Sequence, residues 1–507
     1  MDQVLALEIM LAGNSVLLTG PAGSGKTYVL NRFIKEAKND GKHVAVTATT
    51  GLAATHLNGS TVHSWSGIGV LDDLPPRFMD HMPKGRRETI QKTDVLIIDE
   101  VSMLHDYRLD MIDAIARKVR NKDEPFGGIQ VILCGDFFQL PPVNRRDGKQ
   151  GSFVTQSQAW TDLNPVVCYL TEQHRQDDDT FLEILHAMRA NDLRRRHAEQ
   201  LLGRVDAQLA EDIEVTELHT VNVDVDTINE GRLGSLEGEE HVFEMHTTGS
   251  ANYVDTLKRS CLAVEQLVLK EGALVMCIRN SPEKRYVNGS LGMVVGFEEI
   301  GGFPVVQLHS GKEVTMTTET WELRDGDKKR ASLTQIPLRL AWAITVHKSQ
   351  GMTLDAARVD LRKAFVEGMG YVALSRVRRL DDLSLMGINR MALQVSPLAR
   401  DIEATLRNRA TEAAQQFEHL RENAAKRAKN PKPKKAPKGE WGERLAKMRE
   451  EYPNAYTPWV QEDDDKLQKL YDDGKGVKEL TELFGRHPGS IRARLKKHYG
   501  DDIKFRK

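Results

Sequence analysis

The chain has little cysteine: four residues in 507, at Cys134, Cys168, Cys261 and Cys277. No two are spaced C-x-x-C, which speaks against a zinc site. A disulfide framework belongs to small secreted domains rather than to a chain of this size. Buried free thiols are the expectation. Long hydrophobic runs are also missing, and none approaches the roughly 18 residues that cross a bilayer. The opening MDQVLALEIMLAGN is acidic and leads directly into a strand pattern, so it does not read as a signal peptide. These absences point to the cytoplasm and to no membrane partner. Finally, there is no excess of positive charge: Lys and Arg number 71, Asp and Glu 73, and the net charge is −2. That excludes nucleic-acid binding by bulk charge, so phosphate contacts would have to come from a local groove. The positive charge is uneven, with Lys426, Arg427, Lys429, Lys432, Lys434, Lys435 and Lys438 crowding one stretch.

What is present fits a globular protein, 40% hydrophobic and 28% charged, long enough for several domains. The first part alternates strand-like runs with helical ones: SVLLT (15–19), HVAVTA (43–48), VLIID (95–99) and QVILCG (130–135). Such nearly continuous apolar runs suit parallel strands buried on both faces, and their alternation with helices predicts an open α/β sheet. Ligands of such sheets lie beyond the carboxyl ends of the strands. The stretch TFLEILHAMRA (180–190), a strand IEVTELHT (213–220) and a helix after Asn222 predict a second α/β region. Between about 249 and 330 the pattern alternates apolar and polar residues around NG, GG and SG turns, which predicts an inserted antiparallel β barrel or sheet. The α/β pattern resumes at Ile336. Past Pro397 the chain is polar and helical, then enters the linker KNPKPKKAPKGE (429–440). A compact tail, 459–500, carries three helical stretches and fits a trihelical helix-turn-helix unit.

Three clusters sit just past strand ends. GPAGSGKT (20–27) satisfies G-x-x-x-x-G-K-[ST] between a strand and a helix. Its backbone N–H groups (Gly20, Ala22, Gly23, Ser24, Gly25) and the helix N-terminus suit phosphate. Lys26 would reach the β- and γ-phosphates and Thr27 would ligate Mg²⁺. LIIDEVSML (96–104) ends an apolar strand in two carboxylates, Asp99 for the magnesium and Glu100 for the attacking water. ILCGDFFQLPPV (132–143) puts Gln139 where it could sense the γ-phosphate; a proline-held turn is the bland alternative. Arg175 and Arg376 are candidate arginine fingers, although by spacing alone each reads as a surface arginine.

In order, TGPAGSGKT, VTATTGLAATHLNGSTVHSWSGIG, IIDEVSML, CGDFFQLPPV, LTEQHRQ, WAITVHKSQGMTLD and YVALSRV resemble the motifs of superfamily 1 DNA helicases. The resemblance is to the 5′→3′ subgroup of RecD-like and petite-integration-frequency (PIF-type) enzymes, and it spans residues 3 to about 390. It implies two RecA-like motor domains, 1–175 and 176–395, with ATP between them. It further implies a wedge insertion at about 66–92, an SH3-like β insertion at about 249–330, a linker region at 396–440 and a module at 441–507. Gln3 matches the family's adenine-reading glutamine. Lys26, Thr27, Asp99, Glu100, Gln139, Arg175, Arg376 and Gly351 match nucleotide positions; Thr49, His63, His347 and Lys348 match motifs that contact single-stranded DNA. His63 and Trp65 read equally as core residues.

The tail resembles a Myb-like or homeodomain-like module, with Arg486, Arg492, Arg494, Lys496, Lys497 and His498 on or beside its last helix and with the aspartates at 463–465 and 472–473 expected to face away. A protein partner is the alternative to DNA for that module. The resemblance thus implies a monomeric ATP- and Mg²⁺-dependent 5′→3′ helicase acting on single-stranded and forked or tailed duplex DNA. The setting would be replication, repair or recombination, in the nucleoid region of a bacterial or phage system. A translocase that strips proteins from DNA, and an ATP-switched DNA-binding protein, are the competing readings.

Overall fold

A computed structural model describes residues 1–57, 59–69, 71–144, 148–173, 175–176, 178–209, 215–279, 281, 285–286, 289–299, 301–308, 311–325, 328–429, 448–455 and 461–499. The basic linker at 430–440 and the first residues of the tail, 441–447, lie outside these. The chain divides into two compact units, Met1–Lys429 and Asn430–Lys507.

The first unit opens with helix α1 (Gln3–Leu11) and then builds a six-stranded parallel sheet. Its strands are β1 (Val16–Thr19), β2 (Val44–Ala48), β3 (Ser60–Thr61), β4 (Val95–Asp99), β5 (Gln130–Gly135) and β6 (Val166–Tyr169). They are ordered β3-β2-β4-β5-β1-β6. Alternate residues of a strand face opposite sides, and the two sides here belong to different cores. Leu17, Leu96, Ile98, Val131 and Leu133 join one cluster, which continues into the rest of the unit. Val16, Leu18, Val95, Ile97, Ile132 and Cys134 join the other, under α1 and helix α2 (Lys26–Asn39). This two-sided burial explains why the strands read as unbroken apolar runs.

A second parallel sheet has the order Ala343–Thr345, Thr216–His219, Ala357–Leu361, Leu383–Ile388. Between its first two strands in sequence lies antiparallel structure. A five-stranded sheet joins Glu313–Thr315, Pro304–Leu308, Leu291–Phe297, Leu274–Cys277 and Leu338–Leu340. Three further strands, Glu319–Asp325, Lys328–Gln335 and His246–Gly249, pair separately. The antiparallel strands therefore extend from His241 to Leu340, wider than 249–330, and the parallel pattern resumes at Ala343 rather than at Ile336. The region also contains a helix, Ala251–Ser260, ahead of the alternating strands. The short strand Leu338–Leu340 pairs with Val275–Cys277, which sequence alternation alone does not reveal. A long helix, Pro397–Gln416, and a shorter one, Arg421–Lys429, close the unit.

The second unit contains the helices Gln461–Asp472, Val477–Phe484 and Pro488–Tyr499 around Leu467, Tyr471, Leu480, Phe484, Ile491 and Leu495. Here the expected orientation of the aspartates needs correction. Asp464 is buried and accepts both Nε (2.6 Å) and Nη2 of Arg494. Asp463 pairs with the buried Arg486 at 3.0 Å. The first helix thus turns these carboxylates toward Arg486, just before the last helix, and Arg494 on it, so that the buried charges are paired. No helix among the described residues is long and apolar enough to cross a membrane.

Candidate active site

The strand-end loops meet in a cavity of about 590 Å³, lined from the first sheet by Ala22, Gly23, Gly25, Lys26, Thr27, Asp99, Glu100 and Gln139. From the second half come His347, Lys348, Gln350, Gly351 and Arg376. The phosphate loop is shaped by glycine. Gly25 has φ +83° as the N-cap of α2, a left-handed conformation that costs an L side chain energy. At Gly20 a Cβ would lie 2.5 Å from the Leu170 carbonyl oxygen. Lys26 Nζ donates to the Gly20 and Pro21 carbonyls, 2.9 Å each, folding its ammonium over the loop. The Ser24 hydroxyl is buried there without a hydrogen-bond partner. A ring of N–H donors, a free hydroxyl and a poised ammonium is a donor set that fits a polyphosphate.

Asp99 and Glu100 end β4. Burial raises the pKa of both, and at Glu100 the neighbouring Asp99 charge adds to the rise. Asp99 Oδ1 accepts the Glu100 N–H at 2.9 Å, and Glu100 adopts φ +52°, a left-handed conformation that is strained for an L residue. Glu100 Oε2 accepts Gln350 Nε2 at 2.9 Å, and the same amide reaches Gln139 Oε1 at 3.2 Å. Gln350 therefore ties the two candidate carriers of water activation and phosphate sensing to the second half. A pair of carboxylates beside Thr27 fits a magnesium ion that also takes phosphate oxygens, since such ions keep few protein ligands.

The two arginines flank this cavity. Arg175 Nη1 donates to the Ser375 carbonyl at 3.1 Å. Arg376 is 1% exposed; its Nε bonds the Val372 carbonyl (2.8 Å), and its Nη atoms bond Ser349 O, Met352 O and Ser375 Oγ. Burial, with Arg175 nearby, pulls its pKa down to about 9. Two desolvated cations held by carbonyls rather than carboxylates are primed for an incoming anion.

Gln3 Nε2 lies 3.3 Å from the Ser24 carbonyl, at the edge of the loop. The DNA-motif residues divide into two groups. His347 and Lys348 line the same cavity as Lys26 and Glu100, His347 stacking at 6.3 Å on the exposed ring of Phe365. Thr49 and His63 line a separate cavity of about 210 Å³ with Tyr107, Arg108 and Lys149. Thr49 Oγ1 donates to the Glu100 carbonyl at 2.9 Å, linking that cavity to the paired carboxylates. His63 is largely buried, 3.3 Å from Arg108, and burial takes its pKa down to about 4. In the tail, Arg492 and Lys496 lie on the exposed side of the last helix, whereas Arg494 is committed to Asp464.

Sequence reasoning missed several residues that join the halves. Tyr371 OH accepts the Ala22 N–H at 3.1 Å, reaching the phosphate loop from the second half. Arg189 donates to both oxygens of the buried Asp136, at 2.8 and 2.7 Å, and to Tyr371 OH at 3.1 Å. Tyr371 and Gln350 sit inside motif blocks and could have been found there. Arg189 ends an ordinary amphipathic helix and gives no local signal.

Two parallel α/β sheets facing one another across a phosphate loop, paired acids and two arginines define a P-loop ATPase of the RecA-like helicase class. Residues 1–194 match the PIF1-like helicase family, and residues 252–297 match the 2B domain of the DNA helicase Pif1. An ATP-dependent DNA helicase Pif1 of a Psychrobacter species is 40% identical, with 83% of this chain and 73% of the relative covered. The human ATP-dependent DNA helicase PIF1 is 38% identical over 80% of this chain, which spans only 63% of that protein's length. A crystal structure of a Bacteroides Pif1 helicase with ADP-AlF3 and single-stranded DNA superposes with a TM-score of 0.59 at 31% identity, covering 80% of this chain and 97% of that one. The chain belongs to the PIF1-like helicase family.

Proposed function

We propose that the protein is an ATP-dependent DNA helicase that moves 5′→3′ along single-stranded DNA and separates the duplex ahead of it. One observation carries this reading: a single cavity collects Lys26, Glu100 and Gln139 from the first sheet and Gln350 and Arg376 from the second half, so nucleotide bridges both. The loop N–H groups and Lys26 bind the phosphates, and Gln3 reads the base. Thr27 and Asp99 would hold a magnesium ion, which would neutralise charge at the phosphates. Glu100 orients and deprotonates the attacking water, and Gln139 senses the γ-phosphate through the Gln350 amide. Arg175 and Arg376 stabilise the charge that develops on the transferred group. When that charge leaves, the attraction holding the halves together weakens, and the grip on DNA by Thr49, His63, His347 and Lys348 shifts. Contacts of this kind to backbone and stacked bases tolerate any sequence, as a motor requires.

The motor domains are 1–175 and 176–395, with a wedge at about 66–92 and an SH3-like insertion within the antiparallel region. The tail is a helix-turn-helix module that adds duplex contacts through Arg492 and Lys496. The test is strand separation, with ATP and Mg²⁺, of duplexes carrying a 5′ or a 3′ single-stranded tail. Unwinding of the 5′-tailed substrate alone supports the reading. Unwinding of the 3′-tailed substrate alone overturns the polarity. ATPase stimulated by single strands without unwinding of either would make the protein a translocase.

A further inference from the structure

Helix α1 carries Gln3 and lies between the phosphate-loop helix α2 and the closing segment 397–429. Residues 5–10 of α1 are all buried, and one of them is a carboxylate: Glu8 is 3% exposed. Burial raises its pKa, opposed first by the charge of Arg427. Arg427 Nη2 donates to Glu8 Oε2 at 2.6 Å. One turn and a half earlier, Arg421 bonds Asp2, whose other oxygen caps α1 by accepting the Leu5 N–H at 2.9 Å. Asp2 and Glu8 are six residues apart, as are Arg421 and Arg427. Six residues rise about 9 Å in a helix, so the two ion pairs hold α1 and the helix Arg421–Lys429 side by side in a single parallel register. Phe417 and Leu420 add apolar contact to the cluster formed by α1, α2 and β1. Upstream, Glu403 of the helix Pro397–Gln416 accepts from Tyr169 OH at the end of β6.

From this geometry we infer that segment 397–429 is a strap whose docking positions α1, and through it Gln3, against the phosphate loop, thereby setting nucleotide affinity and preference for the adenine base. The chemistry of the seam explains why. A buried carboxylate is tolerated only while paired, so Glu8 ties the seating of α1 to the presence of Arg427. Helices move as rigid rods, so a shift at Glu8 is carried to Gln3 and to its contact with the Ser24 carbonyl. Arg421 and Arg427 are positioning residues; neither lines the nucleotide cavity. The strap is also the last described element before Asn430, where the second unit begins.

The inference rests on the reading of Gln3 as the base contact, and its test separates the two. Steady-state ATPase of the full chain, stimulated by single-stranded DNA, is measured with ATP and with GTP. The variants are Arg421→Ala/Arg427→Ala, its lysine counterpart Arg421→Lys/Arg427→Lys, and Gln3→Ala. The expected result for the double alanine variant is a KM for ATP raised about fivefold or more, with kcat at saturation unchanged and the ATP-over-GTP ratio of kcat/KM lowered. The lysine variant should recover part of each change. A purely structural defect would lower the active fraction, and so kcat, and leave base preference alone. Shifts in Gln3→Ala with none in the double alanine variant overturn the strap. No change of base preference in Gln3→Ala overturns the base-reading role, and the strap is then judged on KM alone, an unchanged KM refuting it. If the double alanine variant does not fold, Arg427→Lys alone carries the same comparison.

Discussion

Arg189 offers the sharpest quantitative test of how the halves are joined. Its guanidinium spans Asp136, lies 4.2 Å over the Phe138 ring and 5.4 Å from that of Tyr371, and reaches Tyr169 OH and Glu403 at 3.3 Å. The side chains of Arg189 and Asp136 are 6% and 1% exposed. Arg189→Met keeps most of the apolar packing but leaves the Asp136 carboxylate buried without its counter-charge. Breaking a buried pair from one side costs about 3–5 kcal/mol, whereas replacing both partners by neutral groups costs much less. Arg189→Met/Asp136→Asn keeps an acceptor for the Phe138 N–H, now 3.2 Å from Asp136 Oδ1, and removes the stranded charge. An entropy of unfolding of about 2.1 cal/mol/K per residue gives about 0.9 kcal/mol/K for the first unit, so the single variant should lower Tm by about 3–6 °C. Scanning calorimetry of the nucleotide-free protein reads this directly, and the double variant should regain more than half of the loss. Equal Tm values for single and double variants would refute the argument, because the cost would then lie in lost packing rather than in an unpaired charge. A single-variant shift within about 1 °C would show the pair to be solvated.

Other expectations concern the site and the tail. Lys26→Ala should retain single-strand binding in fluorescence anisotropy but lose ATP turnover, on the order of 10³-fold; unwinding by that variant would refute the assignment of the phosphate loop. His63 has a folded pKa of about 4, below its unfolded value of 6.5. The stability gained by keeping it neutral is therefore complete above pH 6.5 and is lost progressively as pH falls from about 6.5 to about 4. By linkage the loss at pH 5 is about 2 kcal/mol, so thermal unfolding of wild type should weaken more between pH 7.5 and 5 than that of His63→Gln, and parallel pH profiles would contradict this. In the tail, Arg494→Ala should destabilise the second unit by leaving the buried Asp464 with only His498, at 3.3 Å, for a counter-charge among the described residues. Arg492→Ala and Lys496→Ala should instead weaken duplex binding and lower its salt slope by about one per contact; unchanged affinity at several salt concentrations would remove DNA as the partner of that face.

The sequence made the strands of the first sheet readable because both of their faces are buried, so each is an apolar run ending in a loop that carries chemistry. The glycines of 20–27 and the carboxylates of 99–100 were readable for a related reason: polar and flexible residues placed directly after such a run have no packing role there. What stayed hidden depends on contacts made across long separations. Nothing near Ala22 announces that its N–H bonds a tyrosine 349 residues later. The buried Glu8 looks, in sequence, like a solvated charge on an apolar helix until Arg427 is seen beside it. The tail aspartates were read outward because they lie on the helices before the basic one. In a core of so few apolar side chains, the arginine that would read DNA and the arginine that holds the fold compete for the same helix. Asp464 decides between them by claiming Arg494, and that choice follows from which position faces inward beside Ile491 and Leu495, not from residue type. Charge composition alone cannot make that division, whereas the register of the last helix does.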